Sequence, residues 1–159
     1  MTDSASCDHP AELEPDSSLA DDATGADETP VRTQERRTRR FALAAARLLH
    51  DLHCTDVLVL DIRGQSDVTD YILIASGTSD RQIGAVAQHV VELGKKHHLT
   101  PFGKDADRHT SWVVLDFVNI VVHLFEPTTR AYYDLEMMWG EAPKVRWRRP
   151  VRKMDVPQA

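Results

Sequence analysis

Six aspartates, Asp61, Asp67, Asp70, Asp105, Asp107 and Asp116, fall near the ends of apolar runs or in the loops between them. A pair of such carboxylates could hold a divalent metal and assist phosphoryl transfer. Asp105 and Asp107 have the spacing of a pair, but they sit in a polar stretch beside Arg108 and His109. The turn Ser76-Gly77-Thr78-Ser79 leads into a helix, where Ser79 can accept from the backbone N–H of Gln82 and Gln82 can reach back. Asp80 lies in the first turn of that helix, where the macrodipole favours an anion. The first N–H groups of a helix are unpaired and face outward, so such corners often place functional groups. No carboxylate pair stands on the strand after this helix, and caps, turns and solvated charges account for the same acids. His50, His53 and Cys54 have a spacing that could hold zinc, but no fourth ligand is evident and histidine at a helix C-terminus is favoured by the dipole alone. His123 lies mid-strand and reads as a hydrogen-bonded sheet residue rather than a base. There is no ordered Ser/His/Asp set, no P-loop and no dinucleotide fingerprint. The residues assign no catalytic group, metal or cofactor.

Residues suited to binding are better represented. Tyr132, Tyr133, Leu135, Met138 and Trp139 lie on a short amphipathic stretch. Tyrosine and tryptophan at a rim are enriched in interface hot spots, but Leu135 and Tyr132 can equally close one side of the core. From Lys144 to Lys153 there are six positive charges in ten residues, interrupted by Trp147. That is the make-up of a segment that contacts RNA phosphates in a salt-sensitive way, and equally that of a solubilising tail.

The net charge of the 159 residues is −6, and it is unevenly placed. Residues 1–30 carry nine acids and no Lys or Arg, residues 31–40 carry five Arg and one Glu, and the remainder is nearly balanced. The acidity therefore belongs to the first segment and does not argue against a partner rich in nucleic acid. Residues 1–28 have no aromatic residue and too little apolar surface to offset their ordering entropy, so disorder is expected there. Cys7 and Cys54 make no disulfide framework. The N-terminus lacks an apolar stretch of signal-peptide type, and no run approaches the ~18 apolar residues of a membrane span. A soluble cytoplasmic protein is expected.

Spacing then supplies the elements. Thr29-Pro30 reads as a helix start, and Phe41, Ala44, Ala45, Leu48, Leu49 and Leu52 fall at helical intervals, so a helix is expected over residues 31–52. Val57–Ile62 and Tyr71–Ala75 read as strands whose short linker favours antiparallel pairing. A second helix starts at Asp80, with Ile83, Val86, Ala87, Val90 and Val91 on one side; Gly94 ends it or sits in its last turn. Gly103–Thr110 reads as a polar loop. Trp112–Phe117 and Ile120–Phe125 read as strands joined by a tight hairpin at Val118-Asn119, where asparagine tolerates positive φ. Thr128 or Thr129 caps a short helix through Arg130–Trp139, and residues 144–159 read as a basic, irregular tail. The expected fold is an α/β domain over residues 31–143, a mixed sheet with helices packed on it, between an acidic and a basic tail.

Five blocks in this order carry a resemblance: Asp56–Gly64 (DVLVLDIRG), Ser66–Gln82 (SDVTDYILIASGTSDRQ), Trp112–Phe117 (WVVLDF), Ile120–Phe125 (IVVHLF) and Tyr132–Pro143 (YYDLEMMWGEAP). From about Phe41 to Val145 the chain resembles the ribosomal silencing factors, or Iojap-like proteins. The resemblance implies a nucleotidyltransferase-like fold without its catalytic metal-binding residues, which agrees with the carboxylate argument. It implies a factor that binds the large ribosomal subunit through the ribosomal protein numbered fourteen, blocks joining of the small subunit and lowers translation when nutrients are scarce. It also suits a homodimer when unbound. The alternative is a metal-dependent nucleotidyltransferase, which would need two carboxylates converging beside Gly77. On the first reading the docking face comprises Tyr133, Asp134, Glu136 and Trp139, with Asp70, Tyr71 and Trp112 on strands. The acids would steer encounter with a basic ribosomal protein and the rings would supply affinity. Some of these residues can be core instead.

Overall fold

Thr29 accepts from the Arg32 N–H at 3.5 Å, and Pro30 takes the first position of α1 (Pro30–Asp51), as their types predict. The computed structural model describes residues 29–105 and 110–150. The acidic segment expected as disordered, Cys7, the Asp105/Asp107 loop beyond Asp105 and the last nine residues lie outside the described residues. After α1 come β1 (Thr55–Asp61), β2 (Tyr71–Ser76), α2 (Asp80–Lys96), β3 (Gly103–Asp105), β4 (Trp112–Asp116), β5 (Ile120–Phe125), α3 (Pro127–Tyr133) and α4 (Leu135–Met138).

The strands form one mixed sheet in the order β1-β2-β5-β4-β3. β2 runs parallel to β5, and the other neighbours are antiparallel. This is the expected α/β fold. One sheet face carries Val59, Tyr71, Leu73, Val113, Leu115, Val122 and Leu124 and is closed by α1 and α2. Phe41, Ala42, Ala45 and Leu49 face it from α1, and Ile83, Val86, Ala87 and Val90 from α2. The second face carries Leu60, Ile62, Ile72, Ile74 and Phe125, against which Leu58, Trp112, Leu135 and Trp139 pack. Over β4 and β5 this face stays open, and Trp112, Val114, Val121 and His123 are only half-buried.

The corner after β2 is built as the sequence suggests, with one change. Ser79 caps α2 by accepting from the Gln82 N–H at 3.2 Å. The Gln82 carbonyl oxygen reaches back to the Thr78 N–H at 2.6 Å, and its amide donates to the Leu52 carbonyl at 3.1 Å. The box therefore also ties α2 to the end of α1.

Several expectations are corrected. Gly103–Asp105 is not loop but the edge strand β3, because β4 offers it a free row of backbone groups. The helix expected through Arg130–Trp139 breaks at Asp134, which takes a left-handed φ of 40°. Its cap is Glu126, with no side-chain bond, rather than Thr128 or Thr129. The basic tail begins later than residue 144. Asp61 N–H donates to the Pro143 carbonyl and Val145 N–H to the Val59 carbonyl, so this stretch runs along β1. Trp147 is buried; its indole donates to the Val57 carbonyl at 3.1 Å, and Arg47 holds its carbonyl at 2.9 Å.

At the β4–β5 hairpin the positive φ falls on Val118 (71°), not on Asn119. Asn119 is already committed: its carbonyl accepts from the Asp70 and Tyr71 N–H groups, and its amide donates to Asp70 Oδ2 at 3.0 Å. The Val118 N–H is held by Asp116 Oδ1 at 2.7 Å. A β-branched residue in this region is strained by about 1–3 kcal/mol. Val118 is also exposed, so little packing opposes its removal. Val118→Gly should raise unfolding stability by about 1 kcal/mol in urea titration, after the greater freedom of glycine in the unfolded chain is subtracted. A loss of stability would show that Val118 is held there by contacts that outweigh the strain.

Candidate docking surface

The open part of the second sheet face meets α3 and α4 at the end of the sheet where β2 and β5 finish. There the Trp112 ring stacks on Phe125, with centroids 4.9 Å apart, and touches Tyr133 at 4.7 Å. Tyr133 in turn meets Tyr132 edge-on at 5.1 Å. The left-handed turn at Asp134 redirects α4, so that Leu135 and Trp139 pack against the sheet while Met137 and Met138 point outward, 79 % and 70 % exposed. Tyr132 is 83 % exposed and so is not core, whereas Leu135 is half-buried in the apolar cluster, the alternative its sequence position left open.

Arg130 holds this assembly. Its guanidinium pairs with Glu136 Oε1 at 2.6 Å and donates to the Asp56 carbonyl at 2.8 Å and to Ser76 Oγ at 2.9 Å. One side chain thus ties α3 to α4 and both to the ends of β1 and β2. Sequence reasoning did not single out Arg130; its spacing from Glu136 is not one that regular helix makes adjacent.

Trp112 donates its indole N–H to His123 Nδ1 at 3.3 Å, which assigns the imidazole proton to Nε2. Burial holds the His123 pKa down at about 4, so the ring is neutral near pH 7. In the unfolded chain it titrates near ~6.5. Between these values the unfolded state binds more protons, so stability rises with pH there. The contribution of about 2–3 kcal/mol is complete above the unfolded pKa and is lost as pH falls towards the folded one. We expect urea titrations from pH 7 to 4 to show this loss in the native protein and a flatter profile in His123→Gln. Parallel profiles would mean that His123 does not supply the slope.

The candidate residues separate into two groups. Trp112, Tyr133, Asp134, Glu136 and Trp139 gather at one end of the sheet. Asp70 lies just before β2, at the opposite end, where it accepts from Asn119. Tyr71 is a correction: it is 0 % exposed on the face covered by α1, in register with Leu73 and Ala75, and cannot be reached by a partner. Glu136 is committed to Arg130 rather than presented as a free acid.

Among the described residues, the carboxylates named as candidates do not converge beside Gly77. Asp61 is bound to Arg63, Asp70 to Asn119, and Asp116 to the hairpin backbone. All three lie at the sheet end opposite Gly77, a β2 length away. Beside Gly77, Glu136 pairs with Arg130, and Asp56 meets the same cation through its backbone carbonyl. Among the described residues no three His, Cys, Asp or Glu side chains gather as metal ligands. Burial raises the pKa of the Cys54 thiol, which leaves it protonated, and His50 packs against Trp147 with ring centroids 5.5 Å apart.

The family model described as "Ribosomal silencing factor during starvation" matches residues 34–159. The chain belongs to this family. It is 36 % identical over 99 residues to the ribosomal silencing factor RsfS of Bacillus subtilis, covering 62 % of this chain and 84 % of that protein. It is 37 % identical over 98 residues to a mouse protein named mitochondrial assembly of ribosomal large subunit protein 1, covering 58 % of this chain and 42 % of that one. A crystal structure of a Chromobacterium violaceum protein is similar at a TM-score of 0.60 and 28 % identity, over 72 % of this chain and 95 % of that one. As a ribosomal silencing factor the protein is a ribosome-associated regulator, and its exposed rings are read as binding groups on that basis.

Proposed function

We propose that this protein silences translation by occupancy. It sits on the large ribosomal subunit through the ribosomal protein numbered fourteen, blocks docking of the small subunit and performs no reaction. The observation that carries the reading is the ledge formed by Trp112 and Tyr133, with Tyr132, Met137 and Met138 exposed beside it, in a chain of the silencing-factor family. Aromatic and methionine side chains are enriched at interface cores. Asp56 and Asp134 border the ledge, and a basic ribosomal protein is the partner they suit. A domain of this size is about 30 Å across, so its presence on a joining surface suffices as the block. The basic end of the chain adds contact with ribosomal RNA, the unbound protein is a homodimer, and the site of action is the cytoplasm.

The test uses Tyr132→Ala combined with Met137→Glu, two exposed positions whose change leaves the core and the Arg130 clamp in place. Wild type should sediment with isolated large subunits and inhibit joining without added nucleotide. The variant should lose at least tenfold in affinity, or about 1.4 kcal/mol. Full inhibition by the folded variant, or inhibition that depends on nucleotide turnover, would end this reading.

A further inference from the structure

A second surface carries a different chemistry. The exposed half of α1 and the end of α2 enclose a cleft of about 400 Å³ lined by Arg36, Arg37, Arg40, Lys96, His97 and His98. Thr33 completes the lining, and no acidic residue takes part. The first turn of α1 has no acid either. The cleft is fixed in shape by packing beneath it: Phe41 meets His97 at 5.7 Å and Phe117 at 4.8 Å. His97 titrates below its ordinary value, first because it is buried and then because Arg40 and His98 are close.

We propose that this cleft binds the phosphodiester backbone of RNA, with Arg37, Arg40, Lys96 and His98 as the phosphate contacts. A small phosphate is normally held by preorganised backbone N–H groups or buried donors. Here the donors are exposed side chains spread over two helices, and Arg37 and Arg40 stand nearly one turn, about 4.5 Å, apart along α1. Such groups gain little from one anion and much from a polyanion, through counterion release at each phosphate. RNA is the polyanion that a ribosome-associated family meets. The arrangement reads no base, so the contact adds affinity without sequence preference.

The proposal is independent of the occupancy reading, since it is tested on free RNA. Anisotropy of a labelled short RNA hairpin unrelated to ribosomal sequence is followed against salt for the full chain, for Arg37→Gln/Arg40→Gln/Lys96→Gln and for Arg148→Gln/Arg149→Gln. The cleft positions are exposed, and unchanged thermal melting confirms that the variant folds. The triple variant should bind at least tenfold more weakly, with a salt slope smaller by about one for each charge removed. Binding equal to wild type, a loss confined to the Arg148/Arg149 variant, or displacement of the RNA by equimolar pyrophosphate would each overturn the assignment. In co-sedimentation with large subunits, the Tyr132→Ala/Met137→Glu variant leaves the cleft unchanged and so reports on the occupancy reading.

Discussion

Gly94→Ala is expected to destabilise the protein by about 2 kcal/mol, although alanine is the better helix former by about 1 kcal/mol. A Cβ at this position would stand 2.6 Å from Phe117 Cε1 and 2.9 Å from the Leu99 carbonyl oxygen. Neither neighbour can yield cheaply. The Phe117 ring is pinned against Phe41, and the Leu99 N–H closes the end of α2 on the Gly94 carbonyl at 2.8 Å. Overpacking therefore outweighs the gain in propensity. Gly84 supplies the internal comparison: it lies in the same helix with nothing within 4 Å of its would-be Cβ. Gly84→Ala should gain about 0.5–1 kcal/mol. Thermal melts of the two variants should move in opposite directions. A Gly94→Ala protein at least as stable as wild type would mean that α2 can shift away from the hairpin.

Arg130→Met should lower stability by about 2–3 kcal/mol while keeping most of the unbranched stem of the side chain. The change strands the half-buried Glu136 carboxylate and the buried Ser76 hydroxyl, and releases α3 and α4 from the strand ends. Glu136 keeps some solvent contact, so the cost falls below that of a fully buried broken pair. A double-mutant cycle with Glu136→Gln should return a coupling of about 1 kcal/mol, since the two residues share one interaction. Additive single effects would show that Arg130 acts through Ser76 and the Asp56 carbonyl alone.

Much of the fold was legible because its signals are local. The spacing of Phe41, Ala45 and Leu49, and of Ile83, Val86 and Val90, marks a buried helical face within one window. The β-branched runs of β1, β2 and β5 mark strands in the same way. What escaped depends on distant partners. β3 has no apolar pattern and is a strand only because β4 is there to pair with it. The break at Asp134 follows from packing of Leu135 and Trp139 on the sheet and from the Arg130 clamp. Residue types could suggest the docking face but not its sorting. Tyr71 was a polar-tipped ring that two-residue periodicity with Leu73 and Ala75 placed inside, and that signal was available. Trp147 gave a signal too: a lone large ring in a run of charges has to be covered by something. The cleft between α1 and α2 needed the fold, since about sixty positions separate Arg37 and Arg40 from Lys96, His97 and His98 in sequence.

The stretch from Pro143 to Trp147 has a consequence beyond its own contacts. It occupies the outer side of β1, whose run Val57–Leu60 would otherwise offer open backbone groups and apolar side chains to any passing strand. An uncovered strand of that kind is a template for aggregation. The opposite border, β3, is only three residues long and makes a poor template. During synthesis β1 emerges well before the stretch that covers it, so the nascent chain carries an unprotected edge over that interval. A chain ending at Pro143 would keep that edge permanently, and its failure would show as self-association before it showed as unfolding.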